Sequence, residues 1–192
     1  MARRIFRFPT SAGLVPGVIG EPGQRTFFLQ AWQGGVPVTV ALDKVQVAVL
    51  ADRLLALVAE MRRRGLPVEP MGQAPPAFRP PDDAPAFRVG TLSLAWDGRQ
   101  PEVTIEALAL GEDEEPDPEA DPDADPPAWA DDDPAGPDLL AVSLDAARAE
   151  AFARQAETLV AAGRPACPMC GQPLDPQGHL CPRRNGHAPL LN

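Results

Sequence analysis

What the chain lacks narrows its chemistry. Its 192 residues include no tyrosine, one lysine (Lys44) and two histidines, His179 and His187. A nucleophilic or general acid–base set would have to be built almost without phenol, amine or imidazole. Both histidines fall beside the cysteines, so a Ser-His-Asp or Cys-His arrangement would borrow a metal ligand. Cysteine is scarce as well: Cys167, Cys170 and Cys181 are all there is, within one 15-residue window. Three cannot all pair, which argues against a disulfide framework and for metal ligation in a reducing compartment. No run approaches the roughly 18 apolar residues of a membrane span. The basic start, Met1-Ala-Arg-Arg-Ile-Phe-Arg-Phe-Pro9, meets proline at once instead of the apolar stretch of about 7–15 residues that a secretory signal needs. A cytoplasmic protein with no membrane partner is expected.

What is present suits a folded body with accessories. Apolar residues make up 44%, ordinary for a globular chain, and the length allows one compact domain with a real core. The 25 prolines and the near absence of lysine are what GC-rich coding produces. The net charge of −10 is local: 13 of the 27 acids lie in 111–138, which holds no base. Elsewhere 17 bases face 14 acids, so the body is close to neutral.

Residues 4–8 and 14–19 read as short strands. Gly20-Glu-Pro-Gly23 is a turn signal, Arg25 to Trp32 a strand, Gly34-Gly35 a hairpin turn and Val36 to Leu42 the partner strand. Asp43 then caps a helix whose apolar stripe runs Val47, Leu50, Leu54, Leu57, Val58, Met61, closed by Arg62-Arg-Arg-Gly65. Residues 66–86 are proline-rich and form a linker. Phe87 to Trp96, Asp97-Gly98 and Glu102 to Leu110 predict a second hairpin. Leu139 to Leu144, the Asp145 cap and a helix to about Ala162 complete the body. At an offset of 64, Ala31-Trp32, Gly34 and Pro37 match Ala95-Trp96, Gly98 and Pro101; at 102, Leu42-Asp43 and Leu57-Val-Ala59 match Leu144-Asp145 and Leu159-Val-Ala161. The reading is α+β: an antiparallel sheet of hairpins with two helices on one face, a duplicated hairpin-helix unit. Chance similarity of two amphipathic segments is the alternative. The body spans 1–163 and a zinc-ribbon-like tail 164–192. Within the body, 111–138 reads as a disordered acidic loop: self-repelling, proline-broken and too polar to offset its ordering entropy. Trp129 inside it is a candidate anchor.

Cys167-Pro-Met-Cys170-Gly171 is a zinc knuckle, two thiolates three residues apart on a tight turn. His179 and Cys181 follow, and in an extended segment they point the same way. The fourth ligand is His179, with His187 as the alternative because Asn185-Gly186 can turn it back. Arg183 and Arg184 offset the −1 charge of three thiolates and one imidazole. The zinc reads as structural: a catalytic zinc keeps an open position with an acid or base beside it, and no glutamate follows Glu157.

Four stretches, Arg3-Arg-Ile-Phe-Arg-Phe8, Gly20 to Ala31, Phe87 to Trp96 and Cys167 to Gly186, resemble an uncharacterised bacterial family, the domain of unknown function 3090. The resemblance runs nearly end to end. It implies a cysteine-rich C-terminal motif and no known activity.

Gly20-Glu-Pro-Gly-Gln-Arg25 invites a phosphate-loop reading, but it lacks the Gly-Lys-Ser/Thr ending and a strand follows it, so a structural turn is favoured, across which Glu21 and Arg25 could pair. Arg62-Arg-Arg64, Arg164 and Arg183-Arg184 could meet phosphates, against which stand the neutral body and the acidic loop. Trp32 and Trp96 read as packing residues. The sequence therefore favours a non-enzymatic binding or adaptor module with a structural zinc and a protein partner. A nucleic-acid-binding zinc ribbon is the runner-up, and an enzyme with its site in the body is third.

Overall fold

The computed structural model describes residues 3–35, 37–68, 77–111, 135–163 and 167–170. Among them the order of elements is β1 (Ile5–Phe8), β2 (Gly13–Ile19), β3 (Thr26–Trp32), β4 (Val38–Leu42), α1 (Lys44–Arg63), β5 (Val89–Ala95), β6 (Glu102–Ala109), β7 (Leu139–Asp145) and α2 (Ala146–Ala161). The chain is a mixed α+β structure. The acidic residues 112–134, the linker residues 69–76 and the tail from 171 onward lie outside the described residues.

The strands form two sheets, not the single shared antiparallel sheet that the hairpins suggested. β2, β3 and β4 make an antiparallel meander, with Gly13 opposite Trp32 and Leu29 opposite Val40. β5, β6 and β7 make a second meander, to which β1 adds in parallel on β7, Ile5 opposite Leu139 through Phe8 opposite Val142. A tight turn, closed by the Ala12 N–H on the Pro9 carbonyl at 2.8 Å, separates β1 from β2 and frees β1 to join the other sheet. The segment leading into β5 does the reverse. Ala86 N–H donates to Thr39 O at 2.7 Å and Ala41 N–H to Phe87 O at 3.0 Å, a parallel bridge onto β4. Each meander's leading segment thus pairs with the last strand of the other.

The offset of 102 falls on corresponding elements, the β4–α1 and β7–α2 junctions. The offset of 64 does not: it sets β3, central in its sheet, against β5, an edge strand.

Both helices share one core with both sheets. The α1 stripe predicted from spacing is buried at Val47, Leu54, Val58 and Met61 (0%) and Leu50 (3% exposure), while its sixth member, Leu57, is only half-buried. α2 presents Ala149, Phe152, Ala153 and Ala156, and its alanines let α1 approach closely. Leu29, Val40 and Leu42 complete the core from one sheet, Ile105, Leu140, Val142 and Leu144 from the other. Asp145 caps α2 by accepting from Arg148 N–H at 2.7 Å. At α1, Gln46 accepts from Asp43 N–H at 2.9 Å, and its amide reaches Val89 O and Gly90 O at 3.1 Å each, tying the helix to β5. Among the described residues no helix is long and apolar enough to cross a membrane.

Candidate functional site

The metal-ligand set falls only partly within the described residues. Cys167 and Cys170 are described; Cys181, His179 and His187 lie outside, as do Arg164, Arg183 and Arg184. Residues 168–170 form a turn, so both sulfur-bearing positions sit on one reversal of the chain. Cys167 is 2% exposed, Cys170 half-buried and Met169 between them 42% exposed. Two thiols on a single turn, one withdrawn from solvent, fit one half of a four-ligand zinc site. Among the described residues no group of three or more His, Cys, Asp or Glu converges.

The cysteine turn follows the end of α2, which one cation holds and a second faces. Arg25 Nη1 donates to Ala162 O at 2.7 Å, where the helix dipole favours positive charge. Lys44, the first residue of α1, stands at the wrong end of its own helix dipole. Its Nζ lies 3.1 Å from where a Cβ on Gly163 would be, at the favourable end of α2. Arg25 is therefore a helix-end ligand, and among the described residues no ion pair joins it to Glu21. The preceding turn is built by Gly20 and Gly23, at φ 105° and 103°, values that side chains resist. Its Gln24 N–H closes on Glu21 O at 2.9 Å.

The arginine run at the end of α1 is occupied by carboxylates. Arg62 pairs with Glu150 of α2, which also accepts from Arg154 at 2.8 Å; Arg63 and Arg64 both pair with Glu60. Arg64 lies over the Trp96 ring at 4.9 Å, and the indole N–H donates to Gln100 O at 2.7 Å. Trp32 covers Gly13 across the β2–β3 pair. Both tryptophans are half-buried packing residues with one side of the ring covered, as their hairpin positions suggested. The paired arginines hold the carboxyls of Glu60 and Glu150 below the usual carboxylate range, and backbone N–H groups of Arg99 and Gln100 do the same for Asp97. These are carboxylates fixed as anions, the opposite of what a general acid requires.

The sequence reading passed over one constellation. Gln30, in the middle of β3, is 2% exposed and Thr39 on β4 is 5% exposed. Gln30 Nε2 donates to Thr39 Oγ1 at 3.0 Å and to Arg79 O at 2.8 Å, and its Oε1 accepts from Arg79 N–H at 3.1 Å. One side chain thus reads both main-chain groups of one residue. Beside it the Phe78 ring stacks on Phe28, centroids 5.8 Å apart and planes 18° from parallel, and lies on Gly17 of β2. The described part of the proline-rich stretch, 77–86, therefore straps the outer face of the three-stranded sheet. Two sequence signals marked it. Phe28 shares the supposedly solvent face of β3 with Gln30, and Pro-Ala-Phe-Arg occurs twice, at 76–79 and 85–88.

A family model described as "Protein of unknown function (DUF3090)" matches residues 6–181, and the chain belongs to that family. No curated protein and no solved structure matches the chain.

Proposed function

Starting from membership of a family whose description assigns no function, we propose that the protein is a non-enzymatic binding or adaptor module of the cytoplasm. Its α+β body engages a protein partner, and its tail is folded by one structural zinc. The observation that carries this reading is the use made of buried polarity. Of Gln30 and Thr39, the buried polar residues among those described, Gln30 holds the main chain of a neighbouring segment and the Thr39 hydroxyl braces the Gln30 amide. The sequence supports the zinc: Cys167, Cys170, His179 and Cys181 supply four donors, His187 being the alternative for the fourth. Zinc would cross-link the tail, so that binding energy is folding energy there. The body reads as a duplication of a three-stranded meander followed by a helix, a larger unit than a hairpin plus helix, with the acidic stretch inserted in the second copy's last turn.

The runner-up, nucleic-acid binding, is weakened by the carboxylate partners of Arg62, Arg63 and Arg64. Three measurements test the reading together. Elemental analysis of protein never exposed to chelator should return one zinc per chain. A labelled oligonucleotide should show no saturable binding at low salt, where phosphate contacts are strongest. Tagged protein captured from its native cell should retain the same protein partner after nuclease treatment. Salt-sensitive oligonucleotide binding, or a partner lost to nuclease, would favour the runner-up instead.

A further inference from the structure

We propose that the outer face of the β2-β3-β4 sheet is a peptide-recognition groove, occupied in cis by Phe78-Arg79, whose partner is an extended, proline-flanked protein segment carrying one aromatic side chain. The proposal rests on the reading of the body as a binding module and names the chemistry of what it binds.

The groove has the two parts that recognition of an extended chain requires: a main-chain clamp and a side-chain seat. Gln30 is the clamp. A carboxamide withdrawn from water is costly unless every group is bonded, and here Thr39 and Arg79 satisfy it. Because Arg79 N–H must meet the carbonyl and Arg79 O the NH2, the amide's orientation is fixed by what it holds. The clamp ignores the Arg79 side chain, since Arg79 is exposed. The seat is made of Gly17 and Phe28. An added Cβ on Gly17 would come well inside 3.0 Å of three Phe78 ring atoms, so the floor is flat only because the side chain is missing.

Three features make the strap resemble a bound ligand more than a piece of core. Phe78 stays half-buried, whereas Phe152 and Leu29 in the true core are 1% exposed. Ala77 and Pro80 on either side are exposed. Ala86 and Phe87 are held separately by their bonds to Thr39 and Ala41, so 77–81 can leave without disturbing the entry into β5. Had the sheet needed only a cover, an aliphatic residue at position 30 would have sufficed without an amide to satisfy. Pro80 and Pro81 lower the entropy that the segment loses on docking and offer no N–H donor to compete on that side of Arg79.

The test uses the full chain carrying Phe78→Ala and a fluorescent peptide of sequence Ala-Pro-Pro-Ala-Phe-Arg-Pro-Pro, read by anisotropy. The variant should bind the peptide at least tenfold more tightly than the unmodified protein, whose groove is filled. Replacing the peptide's Phe by Ala, or adding Gln30→Ala to the variant, should abolish binding. A folded variant that the peptide does not saturate at millimolar concentration overturns the proposal, as does equal binding to both proteins. If Phe78→Ala does not fold, hydrogen exchange in the unmodified protein decides. Excess peptide should speed exchange of the Arg79 amide, and an unchanged rate overturns the groove. Either failure leaves the binding-module reading to the zinc, oligonucleotide and capture measurements, which do not involve the strap.

Discussion

Gly17→Ala tests the strap from the side of the sheet. The new methyl would overlap Cγ, Cδ2 and Cε2 of Phe78. The ring cannot slide away, because Phe28 backs it at 5.8 Å and Gln30 fixes the next residue's main chain. The strap must lift. That forfeits a stacked pair worth about 0.5–1.5 kcal/mol and about half of a full phenyl burial, roughly 1 kcal/mol. Two hydrogen bonds to Gln30 also go, partly replaced by water, at a net cost of about 1 kcal/mol together. Against this stands a gain of about 0.4–1 kcal/mol, because alanine restricts the unfolded chain. The balance is a loss of about 2 kcal/mol, or a fall in melting temperature of roughly 4–8 °C for a chain of this size. Differential scanning calorimetry on Gly17→Ala, Phe78→Ala and the double variant measures it. The two substitutions remove the same interaction, so the double variant should melt close to the worse single one. If Gly17→Ala melts like the unmodified protein, or the two losses simply add, the ring does not rest on Gly17 and the reasoning fails.

Other expectations follow from the same structure. One zinc per chain should be lost on His179→Ala far more readily than on His187→Ala, measured by competition with a colorimetric chelator; the reverse order would give the fourth position to His187. Replacing 113–133 by a short Gly-Ser turn should leave the melting temperature within about 2 °C, because longer loops add little closure entropy and Ala109 N–H on Asp138 O already closes the β6–β7 ladder at 2.8 Å; a larger fall would show that the segment supports the body. Glu150 is held below its ordinary 4.5, first by Arg62 and then by Arg154. The stability it contributes is therefore complete above that value and lost as pH falls through its folded-state pKa. Glu150→Gln should weaken the acid limb of denaturation by about 0.2–1 kcal/mol, the range of solvent-screened pairs, and an unchanged limb in an acid titration would contradict the pairing.

Local pattern made much of the fold legible. The Val47–Met61 stripe, the aspartates before α1 and α2, and the strands from Thr26 and Val38 all stand where spacing, cap preference and turn residues put them. The partner of β1 was not legible, because its parallel register to Leu139–Val142 is chosen by burial of Phe6 and Phe8 against a strand 134 residues away. No periodicity within Ile5–Phe8 encodes that choice. Nor was the groove. Gln30 looks like the polar half of an amphipathic strand until Phe28 on the same face is taken as a sign that the face is covered. Of the predicted metal ligands, Cys167 and Cys170 are placed on one turn by Pro168 and the chain reversal, and the remaining donors lie outside the described residues.

The exchange of leading segments bears on how the tail is held. β1 belongs by sequence to the first meander and by pairing to the second sheet; residues 86–88 belong to the second and pair with β4 of the first. Each half thus supplies an edge segment to the other's sheet, which couples the two halves through main-chain hydrogen bonds. Arg4 fastens both exchanges at one point. Its backbone N–H and Nε donate to the Asp138 carboxylate at 2.7 and 2.8 Å, and its Nη2 to Ala86 O. The cysteine turn hangs from α2, in the second half, yet the end of α2 is held by Arg25 beside β3 and faced by Lys44 of α1, both from the first half. A loss of docking between the halves would therefore release the Ala162 end of α2 before it reached the middle of either sheet. The end of α2, from which the chain runs on to Cys167, is thereby held by a contact that exists only when both halves are joined.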